Sequence, residues 1–171
     1  IDSDWNFIFE KIQENKKEKN TSLIEFGAGR NLAQNIYLAL KIDGLSQTVV
    51  DLNRMINEKL IFTAYEEICL LLGKEKKIET KDISYLLSEL KITYLSPINI
   101  ANYKPNIKYN FCVSKDTIEH IPTFDIVKIL ANIRKILVKD GFLISCVDYS
   151  DHYSHINTYL SKLNFLKYSN L

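Results

Sequence analysis

Leu23-Ile24-Glu25-Phe26-Gly27-Ala28-Gly29-Arg30-Asn31 decides the reading of this chain, together with the Leu32-Ala33-Gln34-Asn35-Ile36-Tyr37-Leu38-Ala39-Leu40 that follows it. The apolar run reads as a buried strand. Two glycines one residue apart make a tight turn, and they are two of only five in the chain. Leu32, Ile36 and Leu40 then share one helical face. A strand–glycine loop–helix unit lets the backbone approach a nucleotide-like ligand closely. An ordinary strand-to-helix turn looks the same locally, so the rest of the chain must separate the two.

Working outward, Asp4 is placed to cap a helix carrying Trp5, Ile8, Phe9 and Ile12 on one face. Downstream, Asp43-Gly44 breaks the chain, and Gln47-Thr48-Val49-Val50-Asp51 is a β-branched strand ending in an acid. Residues 54–72 carry Ile56, Leu60, Ala64, Ile68 and Leu72 at helical spacing, with Gly73 as the C-cap. Thr80 and Asp82 open another helix bearing Ile83, Leu86, Leu87 and Leu90. Residues 54–90 therefore read as a helical insertion between the second and third strands, suited to a lid or a dimer surface. Ile92–Leu95 is a short strand, residues 98–108 are loop-like, and Asn110–Ser114 is a strand. Pro122 precedes a helix from about Phe124 to Leu137, faced by Ile126, Ile129, Leu130 and Ile133. Lys139-Asp140-Gly141 turns into the strand Phe142–Val147, and His155 to Leu166 has a weaker helical pattern. Strands alternate with helices five times, which implies a parallel sheet with helices on both faces. Right-handed crossovers then restrict the topology to a doubly wound sheet.

The 171 residues suit a single domain. A formal net charge of +1 gives no broad basic surface for nucleic acid. The runs at 16–19 and 74–77 read as solvated loops or helix ends. No run is long enough to span a bilayer, and no secretory signal is visible. Cys69, Cys112 and Cys146 are odd in number, far apart and lack metal-ligand spacing, which favours a reducing, cytoplasmic setting.

Two acids carry the chemistry. Asp51 ends the second strand a little over twenty residues past the glycine loop, where a carboxylate can accept both ribose hydroxyls. It could equally cap the segment Leu52-Asn53-Arg54-Met55, and the two roles are compatible. Glu25 lies in the first strand just before the loop. A pyrophosphate would be badly served by a carboxylate so close, whereas a cationic group would be well served. The third glycine of a dinucleotide fingerprint is also absent. The pair suits an adenosine bearing a sulfonium centre and an amino-acid tail.

Leu23–Gly29 resembles motif I of the class I S-adenosylmethionine-dependent methyltransferases, and Asp51 matches their ribose-binding acid. Ser114-Lys115-Asp116-Thr117-Ile118-Glu119-His120-Ile121 is similar to their fourth-strand motif. Lys139-Asp140-Gly141-Phe142 resembles the turn before their fifth strand. The resemblance covers about residues 20–150 and implies an α/β, doubly wound, mainly parallel sheet of strand order 3-2-1-4-5. Those enzymes carry further C-terminal strands, so it also implies a single domain over 1–171 that is incomplete at that end. The edge so left open would invite a second copy, making a homodimer. The implied cofactor is S-adenosylmethionine. Glu25, Gly27 and Gly29 would line its methionine part, Asp51 would hold the ribose and Leu52 would pack on the adenine. Asn99 and Ile100 would meet the adenine edge, and Ser114, Asp116 and Glu119 would sit near the transferred methyl.

Asp148-Tyr149-Ser150-Asp151-His152, followed by Asn164-Phe165-Leu166, resembles methyltransferase domains of bacterial surface-polysaccharide biosynthesis. The implied reaction is methyl transfer to a hydroxyl of a sugar or related small molecule. His152 would be the base, oriented by Asp148 or Asp151. The same three residues would alternatively hold Mg or Mn. His120 would orient the loop after the fourth strand, and His155 would lie at the surface. Rival readings are a non-catalytic methyltransferase-like binding or assembly module and a nicotinamide-dependent Rossmann dehydrogenase.

Overall fold

The computed structural model describes residues 2–150 together with 157, 159 and 161. Its elements are α1 (Ser3–Asn15), β1 (Thr21–Phe26), α2 (Ala33–Lys41), β2 (Leu45–Val50), α3 (Glu58–Leu71), α4 (Ile83–Glu89), β3 (Ile92–Leu95), β4 (Tyr109–Lys115), α5 (Thr123–Ile136) and β5 (Leu137–Cys146). The strands form one sheet in the order β3-β2-β1-β4-β5, with every pairing parallel. This is the order expected from the sequence.

β1 lies at the centre, and its side chains alternate between two cores because successive residues point to opposite faces. Leu23 joins Ile8, Ile12, Ile36 and Ile61 on the face covered by α1, α2 and α3. Ile24 and Phe26 join Ile129, Ile133 and Ile136 of α5 on the other. Leu23 and Ile24 are fully buried, each worth roughly 1.5–3 kcal/mol in removed apolar surface. Two-sided burial is why β1 reads as a continuous apolar run rather than an alternating one. Glu25 is the exception, and parity puts it on the α2 side with Leu23.

Several boundaries differ from the sequence expectation. The α1 cap is Asp2, whose carboxylate accepts the Asp4 N–H at 2.9 Å. Asp4 is instead inside the first turn. α3 begins at Glu58 rather than near residue 54, because Asn57 caps it through the Leu60 N–H and donates its own N–H to the Arg30 carbonyl at 2.9 Å. Gly73 follows α3 with φ +61°, the left-handed conformation expected of a glycine closing a helix. Residues 54–90 hold α3 and α4 and no strand.

The largest difference is at Lys139-Asp140-Gly141, expected as a turn and found inside β5. Tyr109 pairs with Leu137, and Phe111 pairs with Phe142, so the extra residues bulge from the edge strand. An edge strand can absorb them because only one side must keep its ladder. Phe142 and Leu143 remain more than one-third exposed on it.

Among the described residues, no helix is long and apolar enough to cross a membrane. Cys69 and Cys112 are buried and Cys146 is half-buried, all three as free thiols. Asp151, His152, His155 and the 164–166 segment lie outside the described residues.

Candidate binding site at the carboxyl edge of the sheet

The parallel strands deliver their carboxyl ends, and the loops after them, to one edge of the sheet. Two cavities open there on either side of Gly27. The larger, about 790 Å³, runs over the ends of β1 and β2 to the loop after β3. The smaller, about 300 Å³, lies between the glycine loop, the start of α1 and the end of β4.

Gly27 and Gly29 both have positive φ, at +77° and +75°. They do different jobs. A Cβ on Gly27 would lie 2.3 Å from Thr117 Oγ1, so the loop after β4 is packed against it. The Thr117 hydroxyl is within 3.2 Å of the Gly27 carbonyl and 2.8 Å of the Lys115 carbonyl, its single proton shared between them. A Cβ on Gly29 would meet nothing within 4 Å. That open space faces the smaller cavity, a cradle that a side chain would begin to fill.

Asp51 forms part of the larger cavity and is only 5% exposed. The Tyr94 hydroxyl donates to its Oδ2 at 2.8 Å and accepts the Met55 N–H at 3.0 Å. Burial raises the Asp51 pKa, while the Tyr94 and Gly27 hydrogen bonds oppose the shift. Asp51 also anchors the adjoining loop, since its carbonyl accepts the Ile98 N–H at 2.8 Å. Leu52 and Met55 are exposed apolar side chains at the rim, 63% and 46% accessible, available to a planar ring.

The loop after β3 supplies Asn99 and Ile100 to the same cavity. Asn99 accepts the Ala101 N–H with its own Oδ1 at 2.9 Å, which closes the turn and leaves the amide N–H₂ for other partners. Asn132 of α5 holds this loop in place. Its Nδ2 donates to the carbonyls of Ile100 at 2.7 Å and Tyr103 at 2.8 Å. Replacing Asn132 with alanine takes this donor from the Tyr103 carbonyl and leaves the Ile100 carbonyl only the Tyr103 N–H at 3.4 Å, and is expected to cost about 1–3 kcal/mol. Urea denaturation checks the cost, and an unchanged midpoint would refute the anchoring role.

Glu25 sits under the smaller cavity with 1% exposure. Gln34 Nε2 donates to its Oε1 at 2.9 Å and Asn35 Nδ2 to its Oε2 at 2.7 Å. Asn35 is in turn tied to β2, sharing Nδ2 with Gln47 Oε1 at 3.2 Å and accepting Gln47 Nε2 on its carbonyl at 2.8 Å. Burial outweighs these amide bonds and pushes the Glu25 carboxyl up to about 7. Lys115 borders the same cavity and is ion-paired with Asp116, with Asp4 at 3.5 Å and with Asp2 at 3.6 Å. Burial works against its charge, but the three aspartates prevail and hold its pKa above the ordinary lysine value.

The expected site residues thus divide. Glu25, Gly27, Gly29 and Asp116 border the smaller cavity, and Gly27, Asp51, Leu52, Asn99 and Ile100 the larger. Asp116 and Asp148 also share a third hollow of about 530 Å³ with Phe7 and Cys146. Asp148 accepts the Ser150 N–H at 2.7 Å and hydroxyl at 3.0 Å, and donates its own N–H to Glu119 Oε1 at 3.3 Å. Glu119 therefore serves the loop after β5, and it lines none of the three cavities. Ser114 is fully buried and lines none of them either. The reason is parity: Ser114 shares the α5 face with Cys112, while its neighbour Lys115 reaches the smaller cavity. His120 borders the larger cavity. Among the described residues, no group of three His, Cys, Asp or Glu is arranged to hold a metal.

Sequence reasoning missed Gln34, Asn35, Gln47, Tyr94, Asn132 and Lys115. A signal existed for two of them: Gln34 and Asn35 follow the glycine loop on a helix that is otherwise largely apolar. Gln47, Tyr94 and Asn132 are polar residues whose partners are far away in sequence, and Lys115 adds the distant Asp2 and Asp4 to its neighbour Asp116.

No protein-family model matches the sequence, and no curated protein matches it significantly. Solved structures do match. A S-adenosylmethionine-dependent methyltransferase from Clostridium acetobutylicum ATCC 824 is 20% identical, with a TM-score of 0.51 over 90% of this chain and 52% of that one. A candidate sarcosine dimethylglycine methyltransferase from Galdieria sulphuraria is 16% identical, with a TM-score of 0.56 over 83% of this chain and 44% of that one. Coclaurine N-methyltransferase, solved with N-methylheliamine and S-adenosylhomocysteine, is 15% identical, with a TM-score of 0.51 over 84% of this chain and 35% of that one. This chain therefore spans between about a third and about a half of the length of these structures. At such identities the likeness is one of fold, and the five-stranded parallel sheet of order 3-2-1-4-5 flanked by helices is the Rossmann-like methyltransferase fold.

Proposed function

We propose that this chain binds S-adenosylmethionine and forms the cofactor-binding part of a class I methyltransferase. The observation that carries the reading is the pair of cavities meeting at Gly27, one holding the Asp51 carboxylate and the other bordered by Glu25 and Lys115. The first pole suits a ribose diol flanked by apolar surface for a base. The second offers an acid and a base, the complement of a zwitterionic amino acid. Gly29, whose missing side chain leaves open space in the cavity, is consistent with a ligand passing close to the backbone. A diphosphate would instead have to lie over a buried carboxyl, which disfavours a nicotinamide dinucleotide.

When bound, such a cofactor supplies an electrophilic methyl group on a sulfonium. This chain's residues would orient the adenosine through Asp51, Leu52 and Asn99 and hold the amino-acid tail at Glu25 and Lys115. They would leave the methyl facing the hollow bordered by Asp116 and Asp148. Positioning and electrostatics are the main sources of rate in a displacement of this kind. For the acceptor, our reading is a hydroxyl of a sugar or related small molecule, with Asp148, Asp151 and His152 handling the proton. Cytoplasmic chemistry, in a homodimer, completes the proposal.

Titration with S-adenosylhomocysteine tests the reading. Saturable binding at one site is expected, with no competition from a nicotinamide dinucleotide. Binding of the dinucleotide and not of S-adenosylhomocysteine would overturn it. Retained binding without turnover on a panel of hydroxylated acceptors would favour the non-catalytic module.

A further inference from the structure

Glu25 is a buried carboxyl whose direct hydrogen-bond partners are neutral. The α2 side offers it only the amides of Gln34 and Asn35. Asp51 faces it from the end of β2 and opposes its ionisation. From β4, Lys115 favours the charge, and that ammonium also faces Asp116 and Asp2 and Asp4 at the α1 start. Cys112 of β4 is a buried thiol kept protonated by burial and by Glu25 itself.

The two amides carry a second feature. Gln34 Oε1 and Asn35 Oδ1 are buried carbonyl oxygens without a hydrogen-bond donor. Gln34 is only 6% exposed, and it borders the smaller cavity. Buried acceptors are normally satisfied, and an orphan at a cavity wall marks where a donor belongs. A carboxyl and an amide carbonyl side by side call for several N–H donors on one atom, and a primary ammonium is the compact group that has them.

We infer that Gln34 completes a two-acceptor seat for a cationic amino group at Glu25, and that Glu25 gives up a proton to solvent as that group arrives. The inference rests on the functional reading above. In the exchange the O–H bond of the Glu25 carboxyl breaks and its proton passes to buffer. The ammonium hydrogens take its place, and no electrons are transferred. Gln34 acts twice, holding Glu25 through Nε2 and receiving one ammonium hydrogen on Oε1. Before binding, a half-turn of the Gln34 amide would let the same oxygen accept the Glu25 proton.

Calorimetry between pH 5.5 and 7.5, in buffers of different ionisation enthalpy, tests this. The ligands are S-adenosylhomocysteine and 5′-methylthioadenosine, which keeps the adenosine and thioether but lacks the amino-acid tail. For S-adenosylhomocysteine we expect release of close to one proton at the acid end. Its affinity should rise up to about tenfold per pH unit and level off above about pH 7. For 5′-methylthioadenosine we expect buffer-independent heat and a flat profile. Glu25→Gln, which cannot ionise, should remove both proton release and pH dependence. Gln34→Ala should move the S-adenosylhomocysteine profile to higher pH and weaken binding at pH 7 by about tenfold, without touching 5′-methylthioadenosine. The latter ligand reports whether each variant has kept its fold, and the wild-type series decides the matter even if a variant does not fold. Binding of S-adenosylhomocysteine with buffer-independent heat and a flat profile would overturn the inference and leave the functional reading standing. If neither ligand binds, both fall.

Discussion

Gly27→Ala is expected to lose about 2–5 kcal/mol of stability and most of the affinity for S-adenosylhomocysteine. Two costs add. An L side chain at φ +77° pays about 1–2 kcal/mol of backbone strain. The new methyl also lies 2.3 Å from Thr117 Oγ1 and 2.5 Å from Thr117 Cγ2, and overpacking of this kind costs about 1–3 kcal/mol. Thr117 cannot simply turn aside, because its hydroxyl ties together the Gly27 and Lys115 carbonyls. Any relief must therefore move the glycine loop that both cavities share. Thr117→Ala in the same chain removes the two closest atoms but leaves a Cβ 3.0 Å away and the backbone strain, so it should restore part of the loss. A double-mutant cycle by urea denaturation measures that coupling. Equal stability of Gly27→Ala and wild type would refute the account of the loop.

Asp51→Ala is expected to weaken S-adenosylhomocysteine binding by about 1–3 kcal/mol, the scale of charge-assisted hydrogen bonds to a ligand's hydroxyls. Tyr94→Phe should cost less, about 1 kcal/mol, because the carboxylate remains and only its orientation and the Met55 N–H partner are lost. The difference between the two variants separates contact with the ligand from support of the contacting group. Calorimetry with unchanged affinity in Asp51→Ala would sink the ribose assignment. An equal loss in Tyr94→Phe would show that Tyr94 itself meets the ligand.

The sequence by itself determined the elements and their order. Local spacing is enough for that, because a helix repeats every 3.6 residues, a strand every two, and crossovers between parallel strands have one hand. It also placed Glu25, Gly27, Gly29 and Asp51 at the carboxyl ends of adjacent strands, since those positions follow from where two apolar runs stop. What depends on a single residue of phase, or on partners distant in sequence, was decided only by the tertiary structure. Ser114 and Lys115 are neighbours on β4, yet parity buries one and gives the other to the cavity. Lys139-Asp140-Gly141 has turn chemistry, yet the ladder with β4 resumes on both sides of it and makes it a bulge. Asp2 rather than Asp4 caps α1 because capping depends on where a side-chain oxygen meets a free N–H, which composition leaves open by a residue or two. The supports of the site lie furthest from sequence reasoning. Tyr94 reaches Asp51 across 43 residues, Asn132 reaches Ile100 across 32, and Gln47 reaches Asn35 across 12. Each is a polar side chain whose partner no local spacing names, and only packing of the two faces of the sheet supplies the buried groups that hold it.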